Sequence, residues 1–239
     1  MTELLYQNDS YLQEFESKVV QAGDNGVVLE QSAFYPGGGG QPCDRGILTA
    51  NDNTWNVVKL ARRDGAIWHL LEGNAPLPAA GSIIRGQIEW EHRYQLMRTH
   101  TALHILCGVI WRDYNAQVTG GNMQPLQARM DFEFERMERS LVDEIQAAIN
   151  AEVAAAHDVQ VRILPREEAF QKPDLIRTKI NLLPPQITEV RTVEIVGLDL
   201  QADGGTHVAN TREVGSIRIT GYKSKGRINK RLMIAVEPA

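Results

Sequence analysis

The stretch RYQLMRTHTALHILCGVIWRDY, residues 93–114, marks the point where the sequence changes character. Its apolar residues recur at the spacing of one helix face, namely at Leu96, Met97, Leu103, Leu106, Cys107 and Ile110. From Leu12 to Ile88, by contrast, short β-like runs are separated by Gly, Asn, Asp and Pro, which is typical of a small β-barrel or sandwich. We therefore predict a helix from Arg93 to Tyr114 and a domain boundary near residues 88–92.

The residues after this helix mix helical and strand-like patterns. LVDEIQAAINAEVAAAH, residues 141–157, predicts a second helix with Ser140 as its N-cap. Strand-like runs lie between and after the two helices, namely ARMDFEF, VQVRILP, TEVRTVEIV, GSIRITGYKS and KRLMIAVE. We predict an α+β protein with a small N-terminal β-barrel domain over residues 1–90. The second domain, residues 91–239, is predicted to pack an antiparallel sheet on two helices.

The composition limits the class of protein. With 239 residues, of which 43% are hydrophobic and 23% charged, the chain can form one large or two small globular domains. It has no apolar run that approaches the length of a membrane span, roughly 20 residues. Its N-terminus is acidic and lacks the apolar region of a secretory signal peptide. With only two cysteines as well, we expect a cytoplasmic protein without disulfides or membrane contact. A net charge of −5 excludes a uniformly basic nucleic-acid binder but allows a local basic patch. The oligomeric state is left open.

Two short motifs predict a metal centre. His100 and His104 in MRTHTALHIL are four residues apart on the predicted helix, so their side chains share one face. QADGGTHV, residues 201–208, repeats this spacing with Asp203 and His207, beside glycines that favour a tight turn. These four side chains would complete a tetrahedral site for one divalent cation, or leave one position for water. The alternative is an ordinary pair of half-buried histidines.

A run of four glycines, Gly37, Gly38, Gly39 and Gly40, lies within FYPGGGGQPCDRG, residues 34–46. Such a run loses much conformational entropy on folding, which favours a loop whose backbone N–H groups approach a ligand. A flexible hairpin tip is the alternative. The run does not form a phosphate-binding P-loop, because the Lys-Ser/Thr ending is missing and no helical pattern follows.

A basic segment stands out in the otherwise acidic sequence. TGYKSKGRINKRL, residues 220–232, contains Lys223, Lys225, Arg227, Lys230 and Arg231. Charge runs of this kind usually form a solvated hairpin. The local excess of positive charge could instead contact nucleic-acid phosphates, with Lys225, Arg227 and Arg231 as predicted substrate contacts.

Taken in order, these motifs resemble those of the AlaX alanyl-tRNA editing proteins and of the editing domain of alanyl-tRNA synthetase. The motifs are SAFYPGGGGQP-x-D-x-G, H-x3-H within RTHTALHIL, GGTHV-x-x-T-x-x-x-G and SKGR-x-N-x-R. The resemblance runs from about Ser32 to Leu232 and includes no aminoacylation domain. It implies a free-standing editor of the medium-length type, whose β-barrel precedes the editing domain. The substrate would be mischarged alanine tRNA, from whose 3′ end the protein would hydrolyse serine, and in some cases glycine.

The resemblance also implies a set of metal ligands. Zinc would be bound by His100, His104 and His207, with Asp203 where the family most often has Cys. Because a carboxylate replaces a soft sulfur with a hard oxygen, we expect weaker zinc affinity and selectivity at this position.

Substrate recognition is implied for three further parts of the sequence. Gln41 matches a family glutamine associated with the editing pocket, and residues 37–40 would shape the wall of that pocket. Serine differs from alanine by one hydroxyl, so a polar side chain must bind this hydroxyl. Thr119 in QVTGGN is the candidate by its family position.

The expected reaction needs little from the protein beyond positioning and charge. An aminoacyl ester is already activated, so hydrolysis requires a positioned water and a stabilised oxyanion. A metal could activate this water or bind the substrate amino group. Cys107 is interpreted as a packing residue rather than a nucleophile. Two other functions stay open, a metal-dependent hydrolase of another ester or amide and a non-catalytic tRNA-binding module, and the second is favoured by Asp203.

Overall fold

The computed structural model describes residues 2–23, 25–172, 175–177 and 187–238. The chain divides into two compact units, Met1–Gln95 and Leu96–Ala239. We call them unit 1 and unit 2.

Unit 1 is built around a closed barrel of six antiparallel strands. Its elements are β1 (Glu3–Leu4), a 3₁₀ helix (Leu5–Gln7), β2 (Glu14–Gly23), β3 (Gly26–Leu29), β4 (Gln31–Ser32), β5 (Gly46–Ala50), β6 (Asn53–Arg63), β7 (Ala66–Glu72) and β8 (Ile83–Ile88). The barrel has the strand order β2-β3-β7-β6-β5-β8, and β1 pairs with β4 in parallel. The predicted N-terminal β-barrel is thereby confirmed.

Alternating side chains explain why these strands form a barrel. Along β2 and β6, buried residues alternate with exposed ones over much of each strand. In a small barrel the inward-facing set fills the interior. The resulting core cluster includes Phe15, Val19, Leu29, Leu48, Trp55 and Ile84.

One buried histidine, His69 on β7, is hydrogen-bonded inside unit 1. Its Nδ1 lies 3.3 Å from the carbonyl of Val27, to which it can only donate, so Nε2 accepts from the Ser32 hydroxyl at 2.7 Å. The Ser32 oxygen in turn accepts the N–H of Phe34. Burial lowers the pKa of His69 to about 4, against a weaker opposing effect of the Val27 hydrogen bond. The His69 imidazole is therefore neutral in the folded protein at neutral pH.

Unit 2 combines helices with two antiparallel sheets. The elements that follow β8 are α1 (Trp90–Tyr114), β9 (Val118–Gln124), β10 (Gln127–Glu133), α2 (Arg139–Ala154), β11 (Val159–Pro165), α3 (Arg166–Ala169), β12 (Glu189–Ile195), β13 (Asp199–Ala202), a 3₁₀ helix (Thr211–Val214), β14 (Ser216–Ser224) and β15 (Asn229–Glu237). One sheet has the order β14-β15-β10-β9 and the other the order β11-β12-β13. No helix in the described ranges is both long and apolar enough to cross a bilayer.

The predicted α+β class is confirmed, with differences in detail. The strands form two sheets rather than one, and β9 and β13 were not predicted, because β9 contains two glycines and β13 is only four residues long. The prediction of Ser140 as N-cap was wrong: α2 begins at Arg139, with Glu138 as its N-cap and no side-chain cap hydrogen bond. α1 begins three residues before its predicted start, at Trp90. It ends where Asn115 adopts a left-handed φ of 50°.

Candidate metal centre and substrate-binding segments

The predicted histidine pair lies in the buried central turns of α1. His100 and His104 are each 5% exposed, and their ring centroids are 5.0 Å apart. Neighbouring residues of these turns, including Ala102, Leu103 and Ile105, are buried as well. Polar side chains in such surroundings need partners, and a metal ion can provide one.

The second predicted pair lies in the turn that follows β13. Asp203 shapes this turn, because its Oδ2 accepts the N–H of Gly205 at 2.7 Å. Arg191 on β12 fixes the backbone of Asp203 from both sides: its carbonyl accepts the Asp203 N–H, and its Nη1 donates to the Asp203 carbonyl. His207, 3% exposed, is thereby held on a short and well-bonded segment.

The structure brings all four predicted ligands together. One possible ligand atom from each of His100, His104, Asp203 and His207 lies within 4.8 Å of the others. Asp203 Oδ2 is 3.0 Å from His207 Nε2, and Asp203 Oδ1 is 3.6 Å from His100 Nε2. Ligands bound tetrahedrally at about 2 Å lie roughly 3.3 Å apart. The four residues therefore fit one small divalent cation after modest contraction.

The electrostatics of this group favour the protonation states that bind metal. Burial lowers the pKa of His100 to about 4, although Asp203 acts in the opposite direction. Burial likewise holds the pKa of His207 well below its usual value. For Asp203, burial alone would raise the pKa, but His100 and the hydrogen bond of His207 outweigh it and keep the pKa well below the ordinary range. Neutral imidazoles and an ionised carboxylate are the metal-binding forms.

Thr101 is a residue of this site that the sequence did not reveal. Its side chain is fully buried, and its Oγ1 lies 3.1 Å from His207 Nδ1 while accepting the N–H of Val208. The contact orients the His207 ring with Nε2 toward Asp203. A threonine inside an apolar helical run was the available signal, but its partner is 106 residues away in sequence.

Cys107 is buried, as the packing interpretation predicted. Burial raises the pKa of its thiol far above the ordinary value, and Asp199 adds to this effect. Because the thiolate is the nucleophilic form, Cys107 is unsuited to attack a substrate.

The glycine run in unit 1 forms a tight turn with an unusual backbone. All four glycines have positive φ, with values of 85°, 146°, 56° and 90° for Gly37, Gly38, Gly39 and Gly40. Gly38 and Gln41 exchange backbone hydrogen bonds of 3.1 and 2.9 Å across the turn. Residues with side chains rarely adopt this conformation, so the glycines are required by the backbone itself.

A buried ion pair fixes the base of this turn. Asp44 accepts hydrogen bonds from Arg93 Nε at 2.9 and 3.0 Å, and neither side chain is exposed. Asp44 also accepts the Tyr35 N–H, while Arg93 donates to the carbonyls of Ser10 and Ala33. The turn between Tyr35 and Asp44 is thus anchored at both ends.

Thr119 lies on β9 and is exposed, with its hydroxyl donating to Asn229 Oδ1 at 3.0 Å. Its hydrogen-bond partner belongs to the basic hairpin of β14 and β15. The structure thus associates Thr119 with this hairpin.

The cations of the basic hairpin differ in their surroundings. Asp131 on β10, 5% exposed, accepts two hydrogen bonds from Arg231, at 2.7 and 2.8 Å, and one from Lys225 at 3.2 Å. The hydrogen bond from Arg231 is the main reason that the pKa of Asp131 is lowered. Lys230 is buried and donates to the carbonyls of Gly226 and Arg227.

In the same segment, the side chains of Lys223 and Arg227 are exposed to solvent. Lys225 is exposed as well, although it reaches Asp131. Lys230, by contrast, supports the hairpin from inside. The Lys230 ammonium is therefore not available to contact a phosphate in this conformation.

Two protein families match parts of the chain. Residues 7–92 match the class II (A) tRNA synthetases, and residues 190–233 match the second additional domain of threonyl and alanyl tRNA synthetases. The second match includes Asp203 and His207 as well as the hairpin with Arg227.

Three relatives align over nine tenths or more of the chain. The alanyl-tRNA editing protein AlaX-M of Saccharolobus solfataricus is 40% identical, with 100% of both chains covered. The AlaX-M protein of Methanosarcina acetivorans is 38% identical over 97% of this chain and 98% of its own. The alanine–tRNA ligase of Ignicoccus hospitalis is 34% identical over 91% of this chain, but over only 24% of the ligase.

Proposed function

The chain belongs to the family of AlaX-M alanyl-tRNA editing proteins, and on this basis we propose that it hydrolyses mischarged alanine tRNA in trans. Serine is the amino acid to be removed, with glycine as a second substrate. The observation that carries the proposal is the convergence of four ligand side chains within 4.8 Å in a chain that aligns end to end with AlaX-M. Cytoplasmic location is proposed on the same basis.

The metal is proposed to be zinc, bound by His100, His104, His207 and Asp203. When bound, zinc would supply positive charge that lowers the pKa of the attacking water or binds the amino group of the substrate. Asp203 contributes one negative charge to the set, and the three imidazoles contribute none when neutral. The ligand set therefore neutralises half the charge of a divalent ion and leaves the rest for the reaction.

Binding of the tRNA is proposed for the basic hairpin. Lys225, Arg227 and Arg231 would contact phosphates near the acceptor end. Asp131 supports this proposal, because its two hydrogen bonds hold the Arg231 guanidinium in a fixed orientation. Phosphate contacts position a nucleic acid and carry no information about the esterified amino acid.

Recognition of the aminoacyl end is proposed for Gln41, Thr119 and the four glycines of residues 37–40. Support comes from the composition and conformation of this turn: all four residues are glycine, so the turn presents no side chains, and all four have positive φ. Backbone N–H groups in such a turn can approach a ligand closely.

The decisive experiment compares seryl-, glycyl- and alanyl-tRNA(Ala) as substrates, with and without a chelator. We expect rapid loss of serine, slow loss of alanine, and a large decrease in rate on chelation. His207→Ala should abolish the reaction. His157→Gln, a variant of a half-buried histidine bonded to Glu152, should leave it unchanged and is the matched control.

Each alternative function gives a different result. A protein that binds the tRNAs without hydrolysing any of them would be a tRNA-binding module. Hydrolysis of simple esters or amides but not of aminoacyl-tRNA would indicate a different metal-dependent hydrolase. Hydrolysis that survives both chelation and His207→Ala would contradict the metal centre.

A further inference from the structure

His104 has a buried ring nitrogen that lacks a hydrogen bond. Its Nδ1 has no hydrogen-bond partner anywhere in the described parts of the chain. A carboxylate oxygen, Asp199 Oδ2, lies 3.9 Å from this nitrogen, beyond hydrogen-bond distance. Buried polar atoms without partners are rare, and each calls for an explanation.

His207 shows what an outer partner does in this site. Its Nε2 faces Asp203, while its Nδ1 contacts the Thr101 hydroxyl on the opposite edge of the ring. A histidine that binds metal through one nitrogen usually donates the other N–H to such an acceptor, which fixes the tautomer and the ring orientation. On the His104 ring the corresponding nitrogen is Nδ1, and the side chain in the position of the acceptor is Asp199.

Asp199 is suited to accept this proton. Its side chain has no exposed surface, and it is held by Arg177 Nε on Oδ1 at 3.1 Å and by Gln201 Nε2 on Oδ2 at 2.5 Å. A carboxylate has about four lone-pair directions, so Oδ2 can accept a second hydrogen bond.

Gly108 allows Asp199 to lie this close to α1. It follows His104 by one helical turn, so both lie on the same face of the helix. A Cβ added at Gly108 would lie 2.9 Å from Asp199 Cβ and 2.9 Å from Leu198 Cγ. Glycine in a helix interior destabilises the helix. The close approach of Asp199 explains why position 108 is nevertheless a glycine, because any larger residue would clash with Asp199.

We propose that Asp199 is the outer acceptor that positions His104 for metal binding. The inference rests on the metal centre of the proposed function. With Nε2 on the metal, His104 would carry its proton on Nδ1, and this N–H would donate a hydrogen bond to Asp199 Oδ2. The contact of 3.9 Å then shortens to a charge-assisted hydrogen bond.

Zinc affinity, measured by competition with a chromophoric chelator, tests this role. Asp199→Asn should weaken zinc binding by roughly 10- to 100-fold, the usual effect of losing an outer carboxylate. Gly108→Ala should weaken it in the same direction, because the added methyl group displaces Asp199. Asp113→Asn is the matched control: it removes a carboxylate near the end of α1 that is bonded to Arg112, so Asp199 keeps all its contacts and zinc affinity should stay near the wild-type value.

A second measurement does not depend on any variant folding. In the zinc-bound wild type with ¹⁵N-labelled histidine, NMR should show His104 protonated at Nδ1, with slow exchange of this proton. A His104 that binds zinc through Nδ1 would overturn the proposal, as would equal losses of affinity in Asp199→Asn and Asp113→Asn. Wild-type affinity in Asp199→Asn would overturn it while leaving the metal centre intact. A wild type that binds no zinc would overturn both.

Discussion

Asp203 serves two purposes with one carboxylate. It faces the three imidazoles of the metal group and also accepts the N–H of Gly205, which closes the turn after β13. A cysteine here would be a better zinc ligand, because thiolate sulfur is softer than carboxylate oxygen. It would be a poorer acceptor for the Gly205 N–H.

We therefore expect Asp203→Cys to bind zinc more tightly while the metal-free protein melts at a lower temperature. Asp203→Asn, which keeps an acceptor for Gly205 but loses the charge, should bind zinc more weakly than the wild type. Chelator competition and thermal melting in EDTA measure the two effects. Equal or weaker affinity of the cysteine variant would remove Asp203 from the ligand set.

The pKa of His69 predicts how stability depends on pH. In the folded state burial lowers this pKa to about 4, from the ordinary histidine value of 6.5. The unfolded chain therefore binds more protons between these values, so stability is complete above about pH 6.5 and is lost as the pH falls toward 4. The difference corresponds to at most about 3 kcal/mol.

His69→Gln should therefore flatten the loss of unfolding free energy between pH 6.5 and 4, as measured by urea denaturation. His157→Gln serves as the control, because it makes the same substitution at a histidine that is partly exposed. An unchanged slope in His69→Gln would mean that the buried imidazole is not the titrating group.

Residues of the candidate site could be predicted where local geometry determines their direction. A spacing of four on a helix places His100 and His104 on one face whatever the tertiary structure is. The approach of Asp203 and His207 needed a turn, which Gly204 and Gly205 indicated. The contact of Thr101 with His207 could not be predicted, since it depends on how distant segments pack.

In the glycine turn of residues 37–40, the effect of a substitution on backbone strain can be measured separately from its effect on the space open to a ligand. Gly39 has a φ of 56° and nothing within 4 Å of an added Cβ. Gly39→Val should destabilise unit 1 by about 1–2 kcal/mol, because a side chain disfavours this φ. If the turn borders the substrate, deacylation should fall further than this loss explains.

Gly39→Asn provides the control for strain, because asparagine tolerates left-handed φ better than other side chains. It should fold nearly as well as the wild type and still lose activity. Steady-state kinetics and urea denaturation of both variants give the answer. Normal turnover in Gly39→Asn would identify the turn as a plain hairpin tip.

The β14–β15 hairpin allows a test of tRNA positioning. Replacing Lys225 and Arg227 by alanine should raise KM for every aminoacyl-tRNA alike and flatten the salt dependence of binding. The preference for serine over alanine should survive. Arg218→Gln is the control on the same sheet, since Arg218 pairs with Glu237 at the surface. A changed serine-to-alanine ratio at constant tRNA affinity would show that the hairpin reads the amino acid.

Elements could be predicted where periodicity is strong. β11 occupies the predicted run VQVRILP without a shift, and β12, β14 and β15 agree within one or two residues at each end. β9, VTGGNMQ, has little alternation because glycines occupy its centre, and it is a strand because β10 pairs with it. At α2, Ser140 resembles a cap by residue type, yet the helix begins before it.

For the whole molecule, zinc should act as a stabilising ligand. Metal that binds only the folded chain raises the unfolding free energy by about 2.7 kcal/mol at 100 times its dissociation constant. All four ligands belong to unit 2, so the transition that reports on unit 2 should move. Calorimetry in zinc and in EDTA measures the shift, and His100→Ala should abolish it. An equal shift in this variant would place the bound zinc elsewhere.

The general architecture could be predicted because two kinds of periodicity occupy different parts of the sequence. Alternation of period two dominates before Ile88, and the helical period begins with α1. The division of the later strands into two sheets could not be predicted, because side-chain alternation gives the faces of a strand but not its neighbours.

The backbone of the glycine turn also determines which enantiomer of an amino acid would fit at its positions. Four successive residues with positive φ give residues 37–40 the torsional sign that a mirror-image peptide would prefer. A D-amino acid at Gly39 would suit this segment better than its natural L-enantiomer. Every genetically encoded replacement has the wrong handedness for it, so glycine, the achiral residue, is the one that ribosomal synthesis can supply here without penalty.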